Sequence, residues 1–159
     1  MEHDLSRNLH TLTARLDRAA DELLRVEANL SYRRFLTLFM VGSWGVDTQR
    51  ALAERLGVTE PSVSRMTRVL EEAGLLQAAA DPAGGNRRRL RLTEAGAMLV
   101  ERWGGVLEER LAALVEISGV PYRSYAAHTK RLLQALHEAE PGAAPPSAMD
   151  GSHAKEPAM

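Results

Sequence analysis

The first thirty residues carry a stripe of apolar positions separated by alternating steps of four and three. The intervening positions are mostly charged or polar, and the stripe consists of Leu5, Leu9, Leu12, Leu16, Ala19, Leu23, Val26 and Leu30. Such spacing lines up on one face of a helix and predicts a long helix over roughly residues 5–29. Packing within the same chain is one interpretation. A dimer contact is favoured, because the chain carries more apolar stripes than its length allows it to cover.

Two short helices joined by a tight turn are predicted in the next part of the chain. Residues 32–41 (YRRFLTLFMV) predict a buried helix that ends near Gly42. Asp47 is the predicted N-cap of the following helix, which Gly57 ends. Thr59 caps the next helix, whose first turn tolerates a proline at position 61. This arrangement is typical of a helix-turn-helix.

A β-hairpin is predicted directly after the second of these helices. Residues 75–80 predict one strand, and residues 81–86 (DPAGGN) are rich in turn formers. Residues 89–92 alternate arginine and leucine, as a half-buried strand does. Thr93 is the predicted cap of a long helix, which contains a weak point at Gly104-Gly105, and a last helix follows Pro121. The predicted fold class is mainly α with a small β-hairpin: a winged helix-turn-helix DNA-binding lobe plus a helical dimerisation region.

The element pattern divides the chain into four predicted segments. Residues 1–31 form an N-terminal dimerisation helix, and residues 32–96 form the winged helix-turn-helix DNA-binding lobe. Residues 97–138 form the C-terminal dimerisation helices. Residues 139–159 are rich in Ala, Pro, Gly and Ser and predict a disordered tail, since that composition buries too little apolar surface to order itself.

One face of the second helix of the turn motif suits a DNA major groove. At about 100° per residue, Val63, Met66, Val69 and Leu70 fall on a core side. Short polar residues near a helix N-terminus let the backbone approach the bases, and arginine matches the guanine edge. A solvated helix face with ordinary arginines is the alternative. The candidate recognition residues are Thr59, Ser62, Ser64, Arg65 and Arg68.

Positive charge is concentrated in the predicted hairpin. The formal net charge of the chain is only −1, yet residues 86–91 (NRRRLR) hold four arginines and no acid. A local cationic patch of this kind favours nucleic acid, and a narrow minor groove accepts an inserted arginine. A basic loop that only improves solubility is the alternative. Arg87, Arg88 and Arg89 are the candidate wing contacts, with Arg87 favoured for insertion. Thr48, Gln49 and Arg50 are candidate contacts to the DNA backbone.

Composition argues against several other classes of protein. The absence of cysteine excludes disulfides, thiolate metal sites and cysteine redox switching. The five histidines are not spaced as metal ligands, and nucleophile-elbow and phosphate-loop motifs are missing. We therefore expect no catalytic residue, no metal and no cofactor. The apolar stretch of residues 36–46 is too short to span a bilayer, and the N-terminus lacks a signal core, so we expect a cytoplasmic protein without membrane contact.

Two motifs make the chain resemble the MarR family of bacterial winged-helix transcription regulators. They are LAERLGVTEPSVSRMTRVLEEAGLL at Leu52–Leu76 and LTEAG at Leu92–Gly96, and the resemblance extends over about residues 5–138. It implies a triangular homodimer, mainly α, whose N-terminal and last two helices form the interface. It also implies a reading helix at Thr59–Ala73 and a wing at Asp81–Arg88. One reading helix per subunit would enter successive major grooves of a pseudo-palindromic double-stranded operator.

The wing departs from the family pattern. Asn86 stands where the family often has an acid beside its wing-tip arginine, and the strand before LTEAG looks about two residues short. Both Arg87 and Arg88 therefore remain candidates for the inserted residue.

The same resemblance implies a small-molecule effector. The family commonly responds to phenolic or aromatic acids, or to oxidants through cysteine, and the second route is closed here. Candidate pocket residues by position are His10, Tyr32, Arg33, Met40, Trp44 and Trp103, although residues of these types in such positions are more often simply core or surface. We expect a DNA-binding regulator, with a repressor favoured, released by an aromatic or carboxylate ligand. The alternatives are a winged-helix protein-interaction module and a DNA-binding regulator without an effector.

Overall fold

The computed structural model describes residues 4–80 and 88–139 as a helical fold with one β-hairpin. The elements are α1 (Asp4–Ala28), α2 (Tyr32–Ser43), α3 (Gln49–Leu56), α4 (Glu60–Glu72), β1 (Leu76–Ala80), β2 (Arg88–Leu92), α5 (Glu94–Ile117) and α6 (Tyr122–Ala139). This order confirms the predicted fold class. Two compact units divide after Leu111. Within the described residues no helix is long and apolar enough to cross a membrane.

The first unit has a core to which α1 to α5 and both strands contribute. Its most deeply buried leucine and valine side chains are Leu24, Leu38, Leu52, Val63, Leu70, Leu76 and Leu90. Because these seven side chains come from six different elements, the core fixes α3, α4 and the hairpin against one another. Of the predicted N-terminal stripe only Leu30 is buried, whereas Leu5 is 70% and Val26 80% exposed; the buried side chain of α1 is Leu24, which lies outside the predicted stripe.

The two helices of the turn motif begin and end at defined caps. Thr48, not Asp47, is the N-cap of α3, and its Oγ1 accepts the N–H of Ala51 at 3.2 Å. The prediction of Asp47 as the cap was wrong because that carboxylate pairs with Arg89 instead. Gly57 ends α3 with a φ of 63°, a left-handed conformation that glycine adopts without a steric cost. Thr59 caps α4 as predicted.

The hairpin is antiparallel, with Leu76 opposite Leu92 and Ala80 opposite Arg88. The predicted alternation is confirmed, since Leu90 is buried and Arg91 is exposed. The connecting turn, including Arg87, lies outside the described residues. Thr93 caps the following helix: its Oγ1 accepts the N–H of Gly96 at 3.1 Å. That helix continues through the glycine pair at 104–105.

The second unit contains the end of α5 and all of α6. Gly119, with a φ of 75°, turns the chain between these helices. Val115 is buried, but several large apolar side chains of the unit remain exposed, chiefly Ile117, Leu132, Leu133 and Leu136. Ala139, which we assigned to the disordered tail, is the last residue of α6, and residues 140–159 lie outside the described part of the chain.

Candidate nucleic-acid interface

The structure separates a buried and an exposed face of α4. Val63, Thr67 and Leu70 point inwards with at most 1% exposure, whereas Arg65 and Arg68 are exposed. Ser62 and Ser64 are half-buried at the edges. A polar face carrying serine and arginine therefore lies on the solvent side of the helix, as the sequence predicts.

The assignment of Val69 to the core was wrong. Val69 is 37% exposed and lines a small surface cavity at the flank of α4. Met66 lines the same cavity and is only half-buried. The inward position is taken instead by Thr67, which is completely buried. Thr67 lies four residues after Val63 and three before Leu70, so helical spacing alone places it on the buried face. Its polar side chain is the reason that the sequence did not suggest a core position.

Thr67 links the two helices of the turn motif. Its Oγ1 donates to the carbonyl of Ser64 at 3.1 Å and accepts from Gln49 Nε2 at 3.2 Å. The amide of Gln49, a predicted backbone contact, is therefore held against α4. The bond fixes the start of α3 relative to the exposed face of α4.

A short chain of hydrogen bonds orders the N-terminal turn of α4. The hydroxyl oxygens of Thr59 and Ser62 are 3.0 Å apart, and Ser62 Oγ accepts from Arg65 Nη2 at 3.2 Å. Neither Arg65 nor Arg68 forms an ion pair with any described residue. Since a guanidinium presents five N–H donors, most of those on Arg65 remain available to an external acceptor.

The hairpin arginines have different surroundings. Arg89 is half-buried and pairs with the carboxylate of Asp47, whose carbonyl also accepts the N–H of Leu90 at 2.7 Å. Arg88 is exposed, with only a long contact of 3.5 Å from its Nη2 to the carbonyl of Ala78. The Asp47–Arg89 pair joins residues 42 positions apart, so no local sequence pattern could have revealed it.

The candidate backbone contacts at the start of α3 also have internal partners. Thr48 caps the helix, and Gln49 is bonded to Thr67. Arg50 pairs with Glu54 at 3.1 Å, but both side chains are well exposed. Because an exposed ion pair contributes little free energy, Arg50 remains the member of this set most readily released to a phosphate.

The six candidate pocket residues have different surroundings, and Tyr32, Met40 and Trp103 all contribute to the hydrophobic core of the first unit or pack against it. Met40 and Trp103 are buried in the core, while His10 lies on the exposed part of α1. Trp44 is half exposed, and its ring meets that of Phe39 at an angle of 78°, with ring centroids 5.7 Å apart. Trp103 and Trp44 each have an arginine above the ring, Arg102 at 5.1 Å and Arg55 at 5.9 Å respectively.

Tyr32 and Arg33 begin α2. The backbone N–H of Tyr32 donates to the carboxylate of Asp21 at 2.8 Å. The hydrogen bonds from Arg25 and from this N–H lower the pKa of Asp21. Burial, and then the charge of Asp17, raise the pKa of the Tyr32 hydroxyl. Arg33 faces the surface cavity beside α4, together with Arg34 and Arg65.

A metal centre finds no support among residues 4–80 and 88–139, which contain no group of three or more His, Asp or Glu placed to hold an ion. The exposed face of α4 carries hydrogen-bond donors and positive charge, which are groups suited to anions and base edges.

Comparisons with known proteins agree with this geometry. Residues 28–87 match the family model described as the MarR family. Among solved structures, the fold is similar to MepR from S. aureus in complex with DNA, with 23% identity over 87% of this chain and 100% of that chain and a TM-score of 0.66. No curated protein sequence matches the chain.

Two further solved structures have similar folds. Wild-type MarR from E. coli in its apo form is 20% identical over 86% of this chain and 98% of that chain, with a TM-score of 0.68. NadR in complex with 4-hydroxyphenylacetate is 26% identical over 88% of this chain and 98% of that chain, with a TM-score of 0.71. The likeness to MepR and MarR is one of fold.

Proposed function

We propose that the chain, whose residues 28–87 match the family model described as the MarR family, is a sequence-specific, double-stranded-DNA-binding transcription regulator of that family. The observation that carries this proposal is the exposed face of α4, where Arg65 and Arg68 lack ion-pair partners among the described residues. A repressor is favoured over an activator, since similar MarR is itself named a multiple antibiotic resistance repressor. Such a regulator acts where the chromosome is, in the cytoplasm.

In this proposal α4 enters the major groove. Ser62 and Ser64 are short enough to let the backbone approach the bases, and Arg65 donates to the O6 and N7 of a guanine. The bond from Arg65 to Ser62 holds the guanidinium along the helix before DNA arrives. Thr59 and Arg68 extend the same face, and Arg50 contacts the backbone once it leaves Glu54.

The hairpin serves as the wing beside the reading helix. Arg88 is exposed in its second strand and is one candidate for the minor groove. Arg87 is the other candidate and lies outside the described residues. Arg89 pairs with Asp47 and orients the strand, and it remains a further candidate for DNA contact.

A homodimer completes the proposed mechanism. The exposed apolar side chains of α1 and of the second unit need a cover, and a second copy of the chain supplies it. Two reading helices about 34 Å apart then meet successive major grooves of a pseudo-palindrome.

The test uses the full chain and an operator selected from a pool of random duplexes, with binding followed by fluorescence anisotropy. Arg65→Ala should weaken binding by about 1–3 kcal/mol and relax base preference at one position of each half-site. Arg123→Ala, an exposed arginine of α6, is the matched control and should bind like the wild type. If the wild-type protein does not bind duplex DNA at low ionic strength, the proposal is overturned and a protein-interaction module is favoured.

A small-molecule effector is the second part of the proposal, favoured by the bound 4-hydroxyphenylacetate of NadR. Tyr32 offers this chain a hydroxyl suited to a phenolic acid, and His10, Trp44 and Trp103 remain further candidates. A ligand that shifts occupancy from mostly bound to mostly free must favour the free state by ~5 kcal/mol. Titration of the DNA complex with 4-hydroxyphenylacetate and with salicylate tests this. Unchanged affinity for DNA with both acids would favour regulation without such an effector.

A further inference from the structure

The small cavity at the flank of α4 has an unusual concentration of positive charge. Its volume is about 320 Å³, and its lining comes mainly from the start of α2 and from α4: Ser31, Arg33, Arg34, Val58, Ser62, Arg65, Met66 and Val69. Three of the eight lining residues are arginines and none is acidic. No described residue forms an ion pair with any of the three.

Three guanidinium groups around one cavity favour the binding of an anion. An anion between them offsets the mutual repulsion of their positive charges. The apolar part of the lining, Val58, Met66 and Val69, offers the guanidinium N–H groups no strong side-chain acceptor. The hydroxyls of Ser31 and Ser62 in the same lining add further donors. An anion with several oxygen atoms, such as a phosphate or a carboxylate, fits this set of groups.

The cavity shares side chains with the reading surface. Ser62, Arg65, Met66 and Val69 follow one another at helical spacing, so they mark one flank of α4. A helix that lies in a major groove has a sugar-phosphate strand along each flank. Arg33 and Arg34 project from α2 on the flank marked by these four residues, where one of those strands would run.

We infer that Arg33 and Arg34 bind backbone phosphate of the duplex that α4 reads, so that α2 forms a third DNA-contacting element beside the helix-turn-helix and the wing. This inference rests on the proposed DNA-binding function. A small organic acid suits the cavity less well, because ligand pockets bury most of their ligand, whereas Arg33 and Arg65 are exposed here. A phosphate of the DNA backbone, by contrast, can be bound at an exposed surface.

The test compares three double variants of the full chain on the selected operator and on an unrelated duplex. R33Q/R34Q should weaken binding to both duplexes at least roughly tenfold, the size of one missing charge-assisted hydrogen bond. The salt dependence should flatten as well, by about 0.9 in the log–log slope for each phosphate that is no longer neutralised. R33K/R34K keeps the charge and should retain the wild-type slope. R123Q/R131Q removes the same charge from α6 and should leave both affinity and slope unchanged.

Each result decides a different point. The phosphate assignment is overturned if R33Q/R34Q, folded by circular dichroism, keeps the wild-type affinity and slope while the wild type binds the operator. It is equally overturned if R33Q/R34Q binds DNA normally but no longer responds to competition by salicylate, which would assign the arginines to a small anion. Absence of wild-type binding to any duplex would instead overturn the proposed function, and this inference with it.

Discussion

At the scale of single residues, buried polar side chains position the exposed face of α4, which is the proposed DNA-binding surface. Thr67 is completely buried, and its hydroxyl joins α3 to α4 through Gln49. Thr37 is also completely buried; its hydroxyl donates to the carbonyl of Arg33 at 2.9 Å within its own helix and lies 3.4 Å from Met66 Sδ, a weak acceptor on α4. The Thr67 hydroxyl therefore bonds a polar side chain of another element, whereas the strong partner of Thr37 is local. Removing the two hydroxyls should therefore have different consequences.

Thr67→Val should lower the free energy of unfolding by about 1 kcal/mol, since Gln49 Nε2 loses its acceptor while the buried volume is retained. Thr37→Val is the matched control and should change it by less than about 0.5 kcal/mol, because the carbonyl of Arg33 keeps its helical N–H donor. Urea unfolding at a fixed protein concentration measures both. Equal losses for the two variants would contradict the linking role of Thr67.

Acid stability should depend on Asp21. Its pKa is lowered from the ordinary 3.8 by the Arg25 hydrogen bond and the N–H of Tyr32, so the ionised form is preferred in the folded state. The stability that it contributes is complete above pH 3.8 and is lost as the pH falls through the lowered value. Asp21→Asn should flatten this part of the profile of unfolding free energy, measured from about pH 2 to about pH 6. Asp17→Asn serves for comparison, and an unchanged profile for Asp21→Asn would count against this assignment.

The sequence predicted residue roles well where they follow from helical spacing or local capping. Thr59, Gly57 and Thr93 have the roles expected of them. Asp47 was misassigned because a carboxylate followed by threonine offers two good caps, and a distant arginine decided between them. Val69 was misassigned because helical spacing gives the direction of a side chain but not how wide a strip of the helix surface the core covers. The cavity shared by α2 and α4 arises from tertiary packing alone.

At the scale of elements, the LTEAG segment joins the hairpin to α5 through a close approach of two backbones. A Cβ added at Gly96 would lie 2.0 Å from the carbonyl oxygen of Leu75. The same oxygen accepts the N–H of Thr93 at 3.2 Å. Glycine is therefore required at position 96 by contact rather than by its backbone angles. The glycine at 105 lies in the same helix without such a neighbour.

Gly96→Ala should destabilise the protein by about 1–3 kcal/mol, because the added methyl group forces the start of α5 away from the strand. Gly105→Ala is the matched control in the same helix and should raise the free energy of unfolding by about 0.5–1 kcal/mol. Chemical denaturation gives both values. A neutral Gly96→Ala variant would show that the two backbones separate without cost.

At the scale of the whole molecule, the main feature is apolar surface that the single chain leaves uncovered. Leu5 and Val26 on α1 are 70% and 80% exposed, and Ile117 is 84% exposed. Leu132 and Leu136 lie one turn apart on α6 and are both more than 60% exposed. Surface of this extent favours a second copy of the chain, which is also what a two-fold operator requires.

L132E/L136E should convert the dimer into a monomer, because charged side chains then replace apolar ones in the contact. Sedimentation equilibrium measures the mass, and operator affinity should fall steeply, since one reading helix meets one half-site. Gln134→Glu adds a charge to the same helix beside these leucines and should leave the dimer intact. A wild-type protein that sediments as a monomer at micromolar concentration would contradict the dimer, whatever the variants do.

The double attachment of β2 to Asp47 has a mechanical consequence. The carbonyl of Asp47 accepts the N–H of Leu90, and its carboxylate holds Arg89, so the root of the wing is tied directly in front of α3. A wing anchored in this way cannot tilt without also moving the helix-turn-helix formed by α3 and α4. The affinity for DNA should therefore depend on how easily the sequence under the wing bends, even at base pairs that no side chain contacts.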